Sequence, residues 1–121
     1  MISITVICSG RTLYNFVSEK TIISIGRMES NDICLENIGI SKLHARIFEL
    51  DGMYMLEDCH STNGTYLNDE LVHKNTPLED GDIIGIMRYY LKISINYEDE
   101  NPKNPENYEK TMSIGEKKRT R

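Results

Sequence analysis

The chain has 121 residues, 39% hydrophobic and 27% charged, with a formal charge of −5; that suits one domain with a single core and is too short for two ordinary ones. The acidic balance excludes generic nucleic-acid affinity, which draws most of its energy from neutralised phosphates. No apolar run approaches the roughly eighteen residues of a membrane span, and the apolar start at Ile2, Ile4, Val6 and Ile7 lacks a basic flank, so a soluble, cytoplasmic protein is expected.

Taken in chain order, Ile2, Ile4 and Val6 alternate with Ser3 and Thr5, the period of two that marks a strand with one buried face. A second strand reads from Thr21 to Ile25 and runs into Gly26-Arg27. Next comes the cluster Ser41-Lys42-Leu43-His44, preceded by Asn37-Ile38-Gly39-Ile40 and followed by a strand. Between Ala45–Leu50 and Met53–Asp58 sits Asp51-Gly52, a pair that tolerates the positive φ angles of a tight hairpin. Ser61-Thr62-Asn63-Gly64-Thr65 follows, and then Asn68-Asp69, Glu79-Asp80-Gly81-Asp82 and Met87-Arg88 punctuate short apolar runs that include Ile83–Ile86. Leu91, Ile93 and Ile95 alternate with Lys92, Ser94 and Asn96 in a last strand. No stretch before residue 97 has helical length and period. The whole predicts an all-β sandwich or barrel of many short strands.

The composition changes at Tyr97. Residues 97–121 hold few aliphatics, two prolines and a basic end, too little apolar surface to offset the entropy of ordering. The expected organisation is a domain over residues 1–96 and a flexible charged tail over 97–121, with room for a short helix from Pro105. Acids and bases balance within the tail, so the acidic excess lies in the body. Cys8, Cys34 and Cys59 are odd in number and have no Cys-x-x-Cys spacing, so they are expected to be free, buried thiols, and neither a metal site nor a cofactor is implied.

The three clusters carry the chemistry. Gly26 permits a turn that a side chain would hinder, which presents Arg27 from a loop. A guanidinium suits phosphate because its planar fork makes paired, charge-assisted bonds and stays ionised; alternatively Arg27 pairs with Glu29, Asp32 or Glu36. The Ser41 hydroxyl can donate to a phosphate oxygen while Lys42 adds a point charge. In the third cluster Thr62 offers another hydroxyl, and the Asn63 amide has the donor and acceptor needed to grip an extended peptide backbone. Asn-Gly with flanking hydroxyls is also ordinary turn chemistry.

Together these clusters resemble those of the forkhead-associated, or FHA, domain, over about residues 3–96. Linking features match as well: Asn31-Asp32-Ile33, His44-Ala45-x-Ile47, Tyr54-x-Leu56-x-Asp58, and Leu78-x-Asp80-Gly81-Asp82-x-Ile84. The resemblance implies a β-sandwich of about eleven short strands, of the SMAD/FHA type, with apical loops that bind phosphothreonine peptides. It implies phosphate contacts at Arg27, Ser41 and Thr62, an adjacent contact at Lys42, and a peptide-backbone contact at Asn63. Gly26, His44 and Gly64 would shape the loops, His44 by hydrogen bonding rather than by touching ligand. The implied role is a signalling adaptor in a Ser/Thr kinase pathway, bound to a phosphothreonine-containing partner. Lys42-Leu43 departs mildly from the family, where further basic residues are common.

Two other readings compete with this one, and a third extends it. A phosphate-independent interaction domain on the same fold is the first. Catalysis is the second: Ser41, His44 and Asp58, or Cys59 beside His60, are types used by nucleophilic enzymes, but no nucleophile elbow, nucleotide loop or zinc-protease motif is present, and no enzyme is expected. In the third, a phosphorylated Thr111, with Ile114 three residues beyond it, docks into the chain's own site or a neighbour's, giving autoinhibition or self-association under a kinase's control. Lys117-Lys118-Arg119 reads as a solvated basic end, not as a contact for nucleic acid or membrane.

Overall fold

The computed structural model describes residues 1–97. The expectations for the tail, at Pro105, Thr111 and Lys117-Lys118-Arg119, lie outside the described residues. Eleven strands are present: β1 Ile2–Cys8, β2 Arg11–Ser18, β3 Ile22–Gly26, β4 Ile33–Cys34, β5 Ala45–Leu50, β6 Met53–Asp58, β7 Tyr66–Leu67, β8 Glu70–Leu71, β9 Thr76–Pro77, β10 Ile83–Ile86 and β11 Tyr89–Ile95. They form a six-stranded sheet in the order β2-β1-β11-β10-β7-β8 and a five-stranded sheet in the order β4-β3-β5-β6-β9. Of the all-β sandwich or barrel predicted from alternation, the sandwich that the FHA resemblance implies is the fold. Among the described residues there is no helix long and apolar enough to cross a membrane.

The core lies between the two sheets and follows from the period of two. Ile2, Ile4 and Val6 of β1 and Leu91, Ile93 and Ile95 of β11 turn inward from one sheet, facing Ile23 and Ile25 of β3, Ile47 of β5 and Leu56 of β6 in the other. Leu35, Ile40 and Leu78 plug the core from the loops. Burial of branched aliphatics of this kind stabilises by roughly 1.5–3 kcal/mol each, so the alternating strands hold the scaffold on which the irregular loops rest.

Pairing fixes which loops meet. β3 and β6 run the same way because β5 is antiparallel to both, and β1 and β10 because β11 is antiparallel to both. The two pairs point to one end, since the Tyr89 hydroxyl at the start of β11 donates to the Glu36 carbonyl just past β4 at 3.2 Å. The loops 27–32, 35–44 and 59–65 and the Met87-Arg88 turn share that end. Met1 and Asn96 lie at the other, where the Met1 ammonium donates to the Asn96 carbonyl at 3.2 Å. Asp51-Gly52 turns the β5–β6 hairpin with φ of 53° and 81°, as the sequence predicts, and Asn68-Asp69 does the same between β7 and β8 with 50° and 72°.

One expectation is corrected. The three cysteines are free but half-buried rather than buried. Cys8 and Cys34 are the last residues of β1 and β4, and Cys59 follows β6, so all three stand at the rim where the sheets no longer cover one another. Partial burial still pushes the Cys59 thiol above its ordinary value, with nearby Glu57 adding to the effect.

Candidate functional site

The first two clusters are laced together by backbone. Gly26 ends β3 fully covered; a β-carbon there would collide with the Lys42 carbonyl oxygen and come within 2.7 Å of Asn31 Nδ2, so only glycine fits. Immediately after it, the Arg27 amide donates to the Ser41 carbonyl at 3.0 Å and the Met28 amide to the Lys42 carbonyl at 3.3 Å. Arg27 Nε donates to the Ile40 carbonyl at 2.9 Å, and Asn31 Nδ2 to that of Lys42 at 2.7 Å. Asn37 closes the neighbouring turn by accepting the Gly39 amide on its Oδ1 at 2.7 Å.

His44 joins the second cluster to the third. Its ring is wholly buried. The Ser41 amide donates to Nδ1 at 3.1 Å, and since a backbone amide can only donate, the ring proton sits on Nε2, which donates to the Gly64 carbonyl at 2.9 Å. Gly64 takes φ of 92°, a conformation other residues adopt only with strain. Two further bonds cross the same gap: the Thr62 amide donates to Ser41 Oγ at 3.1 Å, and Asn63 Nδ2 donates to the Gly39 carbonyl at 2.8 Å.

Asp58 anchors the third cluster from below. Its carboxylate accepts the Ser61 amide at 3.1 Å, the Ser61 hydroxyl at 2.5 Å and the Thr65 hydroxyl at 2.6 Å. Burial pushes this carboxyl up, but the Ser61 and Thr65 hydroxyls and the Ser61 amide outweigh it and hold it below the usual carboxylate range. Sequence reasoning places Asp58 in a matching pattern and beside Ser41 and His44 as a type used in catalysis, and misses this clamp. The signal was present as Asp-x-x-Ser, the spacing at which an acidic side chain bonds backbone just ahead of it.

The structure thus gathers all the predicted site residues onto neighbouring stretches of three loops. Those stretches leave donors over. Arg27, Lys42, Thr62 and Asn63 are exposed and Ser41 is half-buried. Among the described residues, the terminal guanidinium nitrogens of Arg27, the Lys42 ammonium and the Thr62 hydroxyl have no hydrogen-bond partner, and Ser41, acting only as an acceptor, keeps its proton free. The alternative pairing of Arg27 is not formed: Asp32 is held by Lys20 at 2.6 Å, and neither Glu29 nor Glu36 makes an ion pair among the described residues. Two cations and two hydroxyls around a pre-bonded frame suit an anion with several acceptor oxygens.

A two-sheet sandwich that presents uncommitted cationic and hydroxyl donors from loops at one end is built as a recognition module. The chain belongs to the FHA-domain family: the FHA domain profile matches residues 23–87, which take in all three clusters. It is similar to the transcriptional regulatory protein EmbR of Mycobacterium tuberculosis, 31% identical over 90 residues that make up 74% of this chain and 22% of EmbR. This chain therefore spans about a fifth of the length of that relative. The structure of EmbR in complex with a low-affinity phosphopeptide superposes with a TM-score of 0.71 at 28% identity, covering 81% of this chain and 25% of that one. An FHA domain whose interactions are phosphothreonine-dependent superposes with a TM-score of 0.66 at 28% identity, covering 78% and 96%.

Proposed function

We propose that residues 1–96 bind phosphothreonine in an extended segment of a partner protein and serve as a signalling adaptor in a Ser/Thr kinase pathway. The observation that carries this reading is the set of uncommitted donors at Arg27, Ser41, Lys42 and Thr62 on a frame already closed by His44, Asn63 and Asp58. Arg27 and Lys42 supply the positive charge and Ser41 and Thr62 the hydroxyl donors for the phosphate. Asn63, whose Oδ1 and second amide hydrogen have no partner among the described residues, holds the peptide backbone. Family membership and the phosphopeptide-bound and phosphothreonine-dependent relatives support the same assignment.

Three or four charge-assisted bonds of roughly 1.5–3 kcal/mol each, less the cost of immobilising a peptide, give an affinity near micromolar, about −8 kcal/mol. The test is a titration with one peptide in three forms, phosphothreonine, phosphoserine and unmodified threonine, using Arg27→Ala as control. Selective, Arg27-dependent binding of the phosphothreonine form is expected. Equal binding of phosphorylated and unmodified peptide, or of Arg27→Ala and the parent, would overturn the assignment in favour of a phosphate-independent interaction domain.

A further inference from the structure

The outer faces of the two sheets differ. On the five-stranded sheet, the hollow beside Thr21, Ile22 and Phe48 is lined by the ion-paired Arg46 and Glu57 and by Glu49 and Asn75, so charged and polar groups break up its apolar surface. On the six-stranded sheet, pairing places Leu71, Tyr66, Gly85, Tyr90 and Ile7 in one row across β8, β7, β10, β11 and β1. Leu71, Tyr66 and Tyr90 are each 40% exposed or more. Apolar side chains concentrated in a line on a solvent-facing sheet mark a contact surface rather than random exposure.

Gly85 interrupts this row. Its backbone is not in the left-handed region, so no φ requirement explains a glycine there. A β-carbon would make ordinary contacts, 3.6 Å from Tyr66 Cβ and 3.8 Å from Tyr90 Cε1, so no clash explains it either. What the missing side chain does is keep open the floor between the two tyrosines. A glycine inside a strand, with neither reason for it, is typical of a place where another chain approaches closely.

Two hollows meet over Gly85 and Tyr90. The nearer, of about 320 Å³, is walled by Tyr66, Met87, Asp69, which also borders the farther hollow, and Asn63, the residue proposed to hold the peptide backbone. Met87 also reaches the loop that carries Ser41: a β-carbon on Gly39 would lie 2.7 Å from Met87 Cε. The farther hollow, of about 520 Å³, continues over Ile83 and Ile7 to Lys92. From β7 to β1 is three strand spacings, about 14 Å, or roughly four residues of extended chain.

We infer that this channel is the specificity surface of the domain, and that it takes the residues flanking the phosphothreonine in the same partner segment, selecting large aliphatic or aromatic side chains. The inference rests on the phosphothreonine reading above. Its occupant follows from continuity: a peptide gripped by Asn63 has the near hollow as its next wall, and the open floor at Gly85 leads from there to the far one.

The test uses the full 121-residue chain and an oriented phosphothreonine peptide library with degenerate flanks, followed by titration of the best peptide and of its alanine-flanked counterpart. The parent protein should prefer the apolar-flanked peptide by about tenfold or more, the effect of burying one large apolar side chain. Gly85→Val, which fills the floor without demanding a new backbone conformation, and Tyr90→Ser, on the exposed face, should each erase most of that preference while binding the alanine-flanked phosphopeptide as the parent does. An unchanged preference in both folded variants overturns the channel and leaves the phosphothreonine site standing. Failure of the parent to bind any phosphothreonine peptide overturns both.

Discussion

The two ends of the sandwich use the same side-chain types to opposite result. At the end that carries Met1 and Asn96, Asp82 accepts the Glu79 amide at 2.8 Å and Asn68 Nδ2 at 3.0 Å, Asp80 accepts the Ile95 amide at 2.9 Å, and Asn68 Oδ1 accepts the Ile83 amide at 3.0 Å. There the short polar side chains satisfy strand ends. At the other end, Asp58, His44, Asn37 and Asn63 satisfy the loops in the same way, yet the two terminal nitrogens of a guanidinium, an ammonium and two hydroxyl protons remain unmatched among the described residues. Matching a family pattern therefore does not identify a binding residue. Unused donor capacity on a frame that is otherwise closed does so better.

The contrast can be broken most severely at His44. Replacing it with alanine leaves the Ser41 amide and the Gly64 carbonyl without partners and opens a cavity at a fully buried position. A loss of about 3–4 kcal/mol is expected in urea unfolding, together with loss of phosphopeptide binding. A loss under about 1 kcal/mol would mean that the loops close by other bonds. Arg27→Ala is expected to do the reverse: affinity for a phosphothreonine peptide falls tenfold or more, about 1.5–3 kcal/mol, while unfolding moves by no more than about 1 kcal/mol, the worth of the bond from Arg27 Nε to the Ile40 carbonyl. Ser41→Ala would be less clean, because Ser41 Oγ also receives the Thr62 amide. Asp82→Ala completes the comparison from the far end, with a stability loss of about 1–2 kcal/mol and unchanged affinity. If Asp82→Ala weakened peptide binding as much as Arg27→Ala, the division between the two ends would fail.

The sequence made these ends unequally legible. β1, β5, β6 and β11 are long enough for alternation to show, and Asp51-Gly52 announces its hairpin. β4, β7, β8 and β9 are two residues each, shorter than any period that could reveal them. β2 escaped for a different reason: an edge strand buries little, and six of its eight residues are exposed. The site residues were legible as types in order, since Gly26-Arg27, Ser41-Lys42 and Thr62-Asn63 are local. Their division of labour was not, because whether Arg27 is free depends on where Lys20 sits relative to Asp32, and whether Ser41 donates or accepts depends on an amide from a loop twenty-one residues on. The outer row of Tyr66, Gly85 and Tyr90 was invisible for the same reason, as three strands contribute one residue each.

Acid should act on the loop end through two carboxylates. Asp58 and Asp32 are both pushed up by burial but held below the usual range overall, Asp58 by Ser61 and Thr65, Asp32 by Lys20 and Ser24. A depressed folded value means that each contributes stability present above its unfolded value, near 4, and lost as pH falls through the folded one. Unfolding free energy is expected to be flat at neutral pH with respect to these groups and to fall below about pH 4, with Asp58→Asn removing part of that slope. Peptide affinity should weaken earlier, as the phosphate itself gains a proton near pH 6. Coincident loss of binding and fold in a pH series would show that the acid step at the site is unfolding rather than phosphate protonation.

The smallest effect sharpens the comparison most finely. Lys20 and Asp32 are joined at 2.6 Å with side chains 57% and 21% exposed, so Lys20→Ala should cost no more than about 0.5 kcal/mol and should cost nothing in high salt. Asp32→Ala should cost more, because Asp32 Oδ2 also accepts the Ser24 amide at 2.9 Å, and Ser24 lies on β3, the strand that delivers Arg27. With the carboxylate gone, the Ser24 amide must find water at a half-buried position, a backbone penalty that salt does not screen. The ion pair and the amide bond are thus separable by ionic strength alone. Salt-dependent loss in both variants would assign Asp32 to surface charge; salt-independent loss in Asp32→Ala alone would make it part of the frame that holds the phosphate-facing loop in place.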